Sequence, residues 1–90
     1  MERVHLFISG KVQGVSFRYF AKINADKLNL KGFARNIDDK VEIVIEGNQQ
    51  ALEEFVKHCE KGPPHAKVES IQKIMQEPSN HYSSFEIRSQ

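Results

Sequence analysis

Ninety residues, 39% of them apolar and 28% charged, with a formal net charge of +1 at pH 7, have the size and composition of one folded domain and exclude a disordered chain. The near balance of charge excludes the broad positive field on which general nucleic-acid affinity rests, so any anion must be recognised by a local site. Apolar stretches of only a few residues exclude a transmembrane helix, and Met1-Glu2-Arg3-Val4-His5-Leu6 lacks the extended apolar region of a secretory signal.

Arg3 to Ser9 alternates, with Val4, Leu6 and Ile8 on one face and His5, Phe7 and Ser9 on the other, which is the period of a strand. A glycine-bearing loop follows, and then Phe17, Phe20, Ala21, Ala25 and Leu28 recur at helical spacing. Ser16 stands in the N-cap position, although Tyr19 three residues on makes no capping box, and Asn24 interrupts the stripe. Gly32 to Ile37 and Val41 to Glu46 read as two strands, joined at Asp38-Asp39 by a tight hairpin. Gly47-Asn48 opens a second helix with the stripe Ala51, Leu52, Phe55, Val56 and Cys59. Glu53 and Lys57 pair at i,i+4 on its outer side, and Gly62 before Pro63-Pro64 stops it. Lys67 to Gln76 is β-like, yet Val68 and Ile71 fall on opposite faces of an unbroken strand, which predicts a bulge or bend. Glu77 to Ser84 is a polar loop, and Phe85 to Arg88 a short last strand.

This order, β-α-β-β-α-β plus a short C-terminal strand, predicts an α+β fold. The expected architecture is a ferredoxin-like two-layer sandwich, a mostly antiparallel sheet with two helices on one face. A single domain over residues 1–90, acting as a monomer, is expected. Cys59 is the only cysteine, which excludes an intramolecular disulfide and fits a reducing compartment, so a cytoplasmic location is expected. It falls on the apolar stripe near the end of its helix, away from the helix N-terminus that would lower a thiol pKa, and reads as a core residue.

The chemistry concentrates in Gly10-Lys11-Val12-Gln13-Gly14-Val15-Ser16-Phe17-Arg18. A strand that ends in a glycine-bearing turn and runs into a helix can aim several backbone N–H groups at one point, and such a concavity holds an anion. Arg18 adds a planar, permanently charged clamp in the first helical turn, where a cation is unfavourable unless something negative sits there. No Gly-Lys-Ser/Thr closes a Walker loop and no Gly-x-Gly-x-x-Gly is present. Lys11 can attract an anion or simply be solvated. His5, His58, His65 and His81 have no metal-site spacing, so no metal or other cofactor is expected. Asp38 and Asp39 read as solvated turn residues before a pair of acid–base carboxylates.

The same nine residues resemble, position by position, the first motif of the acylphosphatase family. Gly32-Phe33-Ala34-Arg35-Asn36, with Val41 and Gly47, resembles the second, and the likeness runs on through Gly62-Pro63 to Phe85-Glu86-Ile87-Arg88. The resemblance implies the ferredoxin-like sandwich and an enzyme that hydrolyses the carboxyl–phosphate bond of small acyl phosphates, without a covalent intermediate. It implies that backbone N–H groups of Gln13, Gly14, Val15, Ser16, Phe17 and Arg18 cradle the phosphoryl oxygens. Arg18 would bind two of those oxygens, and Asn36 would orient the attacking water. The stretch from Asn36 to Val41 is one residue shorter than the family's second motif usually is, and lacks its glycine. Either the hairpin is tightened and somewhat strained, or its register differs and Asn36 turns to the other face.

Two further readings stand beside this one. The shortened hairpin admits a non-catalytic anion-binding or regulatory domain on the same fold. An RNA-binding sandwich of the RRM type shares the element order but needs stacking aromatics on the third strand. Val41 to Glu46 has none. The expected partner is therefore a small acyl phosphate, with neither nucleic acid nor a membrane.

Overall fold

The alternating N-terminal run forms the second strand of a five-stranded sheet in a computed structural model that describes residues 1–89. The elements are β1 (Glu2–Lys11), α1 (Phe17–Lys27), β2 (Lys31–Ile37), β3 (Lys40–Gly47), α2 (Gln49–Lys61), β4 (Lys67–Gln76) and β5 (Phe85–Arg88). The strands lie in the order β4-β1-β3-β2-β5. All neighbours are antiparallel except β2 and β5, which run parallel. This is the expected ferredoxin-like α+β sandwich with its added C-terminal strand.

One face of the sheet presents Val4, Leu6 and Ile8 of β1, Ala34 of β2 and Val41, Ile43 and Ile45 of β3 to both helices. Phe17, Ala21 and Ala25 of α1 and Leu52, Phe55 and Cys59 of α2 close the core with Phe85. Burying each of Phe17, Phe55 and Phe85 stabilises the fold by about 1.5–3 kcal/mol, so the aromatic side chains carry a large share of the packing. Cys59 is fully buried as expected, and burial pushes its thiol well above the usual range. Among the described residues no helix is long and apolar enough to cross a membrane.

Capping sets the ends of α2. Asn48 accepts a hydrogen bond from the Ala51 N–H at 2.8 Å, and the Gly62 N–H donates to the His58 carbonyl at 2.8 Å from a left-handed φ of 72°. The Glu53–Lys57 pair expected on the outer side does not form; Glu53 instead accepts from Gln49 Nε2 at 3.4 Å. An exposed pair of this kind has little to gain from fixing two long side chains.

β4 carries the expected bulge. Against β1, Ser9 faces Ser70 but Gly10 faces Val68, leaving Glu69 as the extra residue. The insertion turns both Val68 and Ile71 toward the core, reconciling two positions that an unbroken strand would place on opposite faces. Gly10 is required here. Its φ is 127°, and a Cβ would sit 2.1 Å from the Lys67 carbonyl oxygen.

The outer face of the sheet is covered in part by the segment between β4 and β5. Glu46, nearly fully buried, accepts hydrogen bonds from the main-chain N–H and hydroxyl of Ser79 and the N–H of Asn80. Glu42, also buried, bridges His5 at 2.6 Å and the Nε of Arg35.

Candidate active site

Three strand ends and one helix start converge at the loop after β1. Since β1 and β2 both pair antiparallel with β3, and β5 runs parallel to β2, the C-terminal ends of β1, β2 and β5 lie at the same edge of the sandwich. α1 begins there. Backbone donors from the loop, a first-turn side chain and the tip of β2 are thus brought together from distant parts of the sequence.

Val12, 1% exposed, anchors the loop to the core. Beyond it the chain reverses through two left-handed residues, Gly14 with φ 73° and Ser16 with φ 62°. A Cβ at Gly14 would meet nothing within 4 Å, so the space over the loop is open and only the backbone angle favours glycine. Ser16 occupies the N-cap position as expected, but its left-handed conformation leaves its side chain without a capping hydrogen bond. The first helical hydrogen bond runs from the Phe20 N–H to the Ser16 carbonyl at 3.0 Å. The N–H groups of Phe17, Arg18 and Tyr19 precede it, and no acidic residue stands in the first turn. Together with the helix dipole, this end of α1 is a site of positive potential.

Arg18 projects from that first turn. Its Nη1 donates to the main-chain carbonyl of Arg88 at 2.8 Å, which fixes the guanidinium against the end of β5. The Arg88 guanidinium in turn lies 3.9 Å from the centre of the Phe33 ring on the neighbouring strand.

Asn36 lies near the end of β2, opposite Val41 in the ladder, and shares the helix-side face with Ala34. The tightened hairpin is therefore the arrangement adopted. Ile37 pairs with Lys40, Asp38 and Asp39 make the two-residue turn, and Asp38 takes the left-handed conformation with φ 54°. Asn36 is only partly buried, and an open depression of about 410 Å³ lies beside it, lined by Arg35, Asn36, Ile37 and Asp38.

Of the expected site residues, Gly14 and Ser16 shape the loop while Phe17 roots it in the core. Gln13 and Val15 are partly buried, and Arg18 and Asn36 come to the same edge of the fold. The side chain of Gln13 makes a contact that its place in the loop did not signal. Its Nε2 donates to the carbonyls of Asp38 at 2.9 Å and Lys40 at 2.8 Å. His5 is engaged with Glu42 on the outer face, while His58, His65 and His81 are exposed. The apolar groove between α2 and β4, lined by Val4, Leu52, Val56 and Met75 among others, lies at the opposite end of β1.

Comparison with known proteins identifies the family and the fold. The family described as Acylphosphatase matches residues 4–87. The chain is 41% identical to an acylphosphatase of Rubrobacter xylanophilus over 88 residues, covering 97% of this chain and 80% of that protein. It is 40% identical to an acylphosphatase of Bacillus pumilus over 89 residues, covering 98% and 99%. The crystal structure of acylphosphatase from Bacillus subtilis superposes with a TM-score of 0.94 at 38% identity, over 98% of this chain and 99% of that one.

Proposed function

The chain belongs to the acylphosphatase family and is a hydrolase of acid anhydrides, and we propose that it cleaves the carboxyl–phosphate bond of small acyl phosphates to carboxylate and inorganic phosphate. The observation that carries the mechanism is the uncapped start of α1. Its first-turn N–H groups lack a side-chain cap and stand beside Arg18 in a turn that holds no acidic residue, an arrangement suited to a phosphoryl group. In this reading the N–H groups of Gln13 to Arg18 receive the phosphoryl oxygens, Arg18 binds two of them, and the side-chain amide of Asn36 holds a water in line with the bond to be broken.

An acyl phosphate is a mixed anhydride, and its carboxylate leaves without needing a proton. In a loose phosphoryl-transfer transition state the attacking water needs little deprotonation. The water oxygen bonds to phosphorus, the bond from phosphorus to the acyl oxygen breaks, and that electron pair leaves with the carboxylate. The water's excess proton passes to the phosphate or to solvent. Orientation by Asn36 and charge stabilisation by the loop and Arg18 then supply the rate.

A shortened hairpin is also compatible with a non-catalytic anion-binding domain on the same fold. Asn36 shares the face of Ala34, which favours the catalytic reading. The test is hydrolysis of benzoyl or acetyl phosphate alongside phosphate binding on one sample. Turnover that depends on both Arg18 and Asn36 supports the proposal, and binding without turnover by the wild-type chain overturns it.

A further inference from the structure

β1 and β3 part at the site. Their last paired residues are Ile8 and Val41, after which β1 follows β4 through the bulge to Lys11 opposite Lys67. β3 meanwhile stays with β2 to the hairpin, where Ile37 faces Lys40. The loop after β1 and the hairpin after Asn36 thus sit across a gap that no ladder spans. The Gln13 side chain crosses it. One amide nitrogen uses both of its hydrogens, on the Asp38 carbonyl at 2.9 Å and the Lys40 carbonyl at 2.8 Å. Among the described residues these are the hydrogen bonds that join residues 12–18 to residues 36–41.

We infer that Gln13 is a positioning residue for the hydrolysis, its side-chain amide setting the hairpin, and with it Asn36, at a fixed place relative to the phosphate cradle. The inference rests on the proposed role of Asn36 in holding water. Lys40 closes the hairpin opposite Ile37, and Val41 faces Asn36, so a shift of the two bonded carbonyls carries Asn36 with them. Only Asp38 and Asp39 separate Ile37 from Lys40, and Asp38 takes a left-handed φ of 54°, so the turn offers few residues to absorb such a shift. Gln13 therefore joins the two halves of the site, donating through its side chain to the half that brings water while its own main chain belongs to the half that binds phosphate. Removing the side-chain amide leaves the N–H groups and Arg18 in place. The loss falls on the placement of water and spares the holding of phosphate, and a displacement of about 1 Å at a reacting group can cost a hundred-fold in rate.

The test replaces Gln13 by a side chain of similar length without donors, Gln13→Met, in the wild-type and Asn36→Ala backgrounds. Inorganic phosphate serves as the binding probe and benzoyl phosphate as substrate. The expected result is a fall in kcat between about ten- and a hundred-fold, with the phosphate inhibition constant held within about two-fold. In the Asn36→Ala background the same substitution should change kcat by less than about two-fold, because a residue acting through Asn36 has nothing left to position. Folded Gln13→Met with wild-type kcat overturns the inference. So does a parallel loss of turnover and phosphate affinity, or an undiminished effect in the Asn36→Ala background. Wild-type turnover in Asn36→Ala alone, a result seen without any change at Gln13, removes the parent reading and the inference together. If Gln13→Met does not fold by circular dichroism, Gln13→Glu replaces it. An ionised carboxylate has no donor for the two carbonyls, while the protonated acid has one. The kcat of Gln13→Glu relative to wild type should rise several-fold as pH is lowered from about 7 to about 5; a flat ratio overturns the inference.

Discussion

Arg18 in the first turn of α1 is held by the main-chain carbonyl of Arg88, 70 residues away, at 2.8 Å. A long side chain beside an anion site would otherwise have to be ordered by the ligand, at a cost in rotamer entropy. The end of β5 does that ordering in advance, since β5 pairs with β2 from Gly32↔Phe85 to Arg35↔Arg88. In the proposed function this leaves the guanidinium ordered before the phosphoryl group arrives.

Arg18→Ala is expected to lose both hydrolysis and inhibition by inorganic phosphate. Removing one strong oxyanion donor costs about 3 kcal/mol, roughly a hundred-fold in rate, and here the charge goes as well. Arg18→Lys keeps the charge but not the planar fork and is expected to rescue little. Steady-state kinetics on acetyl phosphate with phosphate as inhibitor checks both; near-wild-type kcat/KM in Arg18→Ala would contradict the site.

Two glycines of the loop region should respond differently to alanine. At Gly10 a Cβ would lie 2.1 Å from the Lys67 carbonyl oxygen, so Gly10→Ala must displace β4 at its bulge and is expected to destabilise by several kcal/mol. At Gly14 nothing lies within 4 Å and only the φ of 73° opposes a side chain, which costs about 1–2 kcal/mol. Urea unfolding of both variants compares the two costs; equal losses would mean that backbone angle alone matters at Gly10.

Asp38 carries the left-handed conformation of the shortened hairpin at φ 54°. Asp38→Gly should relieve that strain and stabilise the protein, by at most about 1 kcal/mol because glycine also enlarges the unfolded ensemble. The urea midpoint is the measurement, and a clear loss of stability would show that the aspartate side chain contributes more than the turn strain costs.

Much of this was legible from local pattern. The alternation of Val4, Leu6 and Ile8, the stop at Gly62-Pro63 and the mismatch between Val68 and Ile71 report on neighbours a few residues apart. Those features recur in β1, α2 and the bulge of β4. The Gly10 to Arg18 loop was legible because glycines, strand end and helix start are contiguous. What escaped depends on residues far apart in sequence. The left-handed Ser16 leaves α1 uncapped where its residue type suggested a side-chain cap. The Gln13 amide reaches a turn 25 residues on, and a carbonyl at the end of β5 holds Arg18. Alternation along β3 assigns Glu42 and Glu46 to the face away from the helices, but it does not say that His5, Arg35 and the Ser79–Asn80 turn bury them.

Those two glutamates are expected to contribute to the acid limb of stability. Burial alone would raise Glu42, but hydrogen bonds from Arg35 and His5, with the charge of Arg35, outweigh it. Burial would raise Glu46 too, and the hydrogen bonds of Ser79 and Asn80 with the charge of Arg3 again prevail. Both carboxyls are thereby held below the ordinary 4.5 in the folded state. A folded pKa below the unfolded one means that the unfolded chain binds the proton more readily. The stability these groups contribute is present above about 4.5 and is lost as pH falls through their folded values. Urea midpoints should hold between about pH 7 and pH 5 and decline below about pH 4.5. Glu42→Gln should start lower at pH 7 and decline less steeply; a decline as steep as that of wild type would contradict the assignment.

The account stands most directly on one comparison, kcat for benzoyl phosphate and the inhibition constant of inorganic phosphate in wild type and Asn36→Ala. If Asn36 orients the water, kcat falls about a hundred-fold while phosphate, held by the loop N–H groups and Arg18, inhibits as before. Wild-type kcat in a folded Asn36→Ala protein would contradict the account.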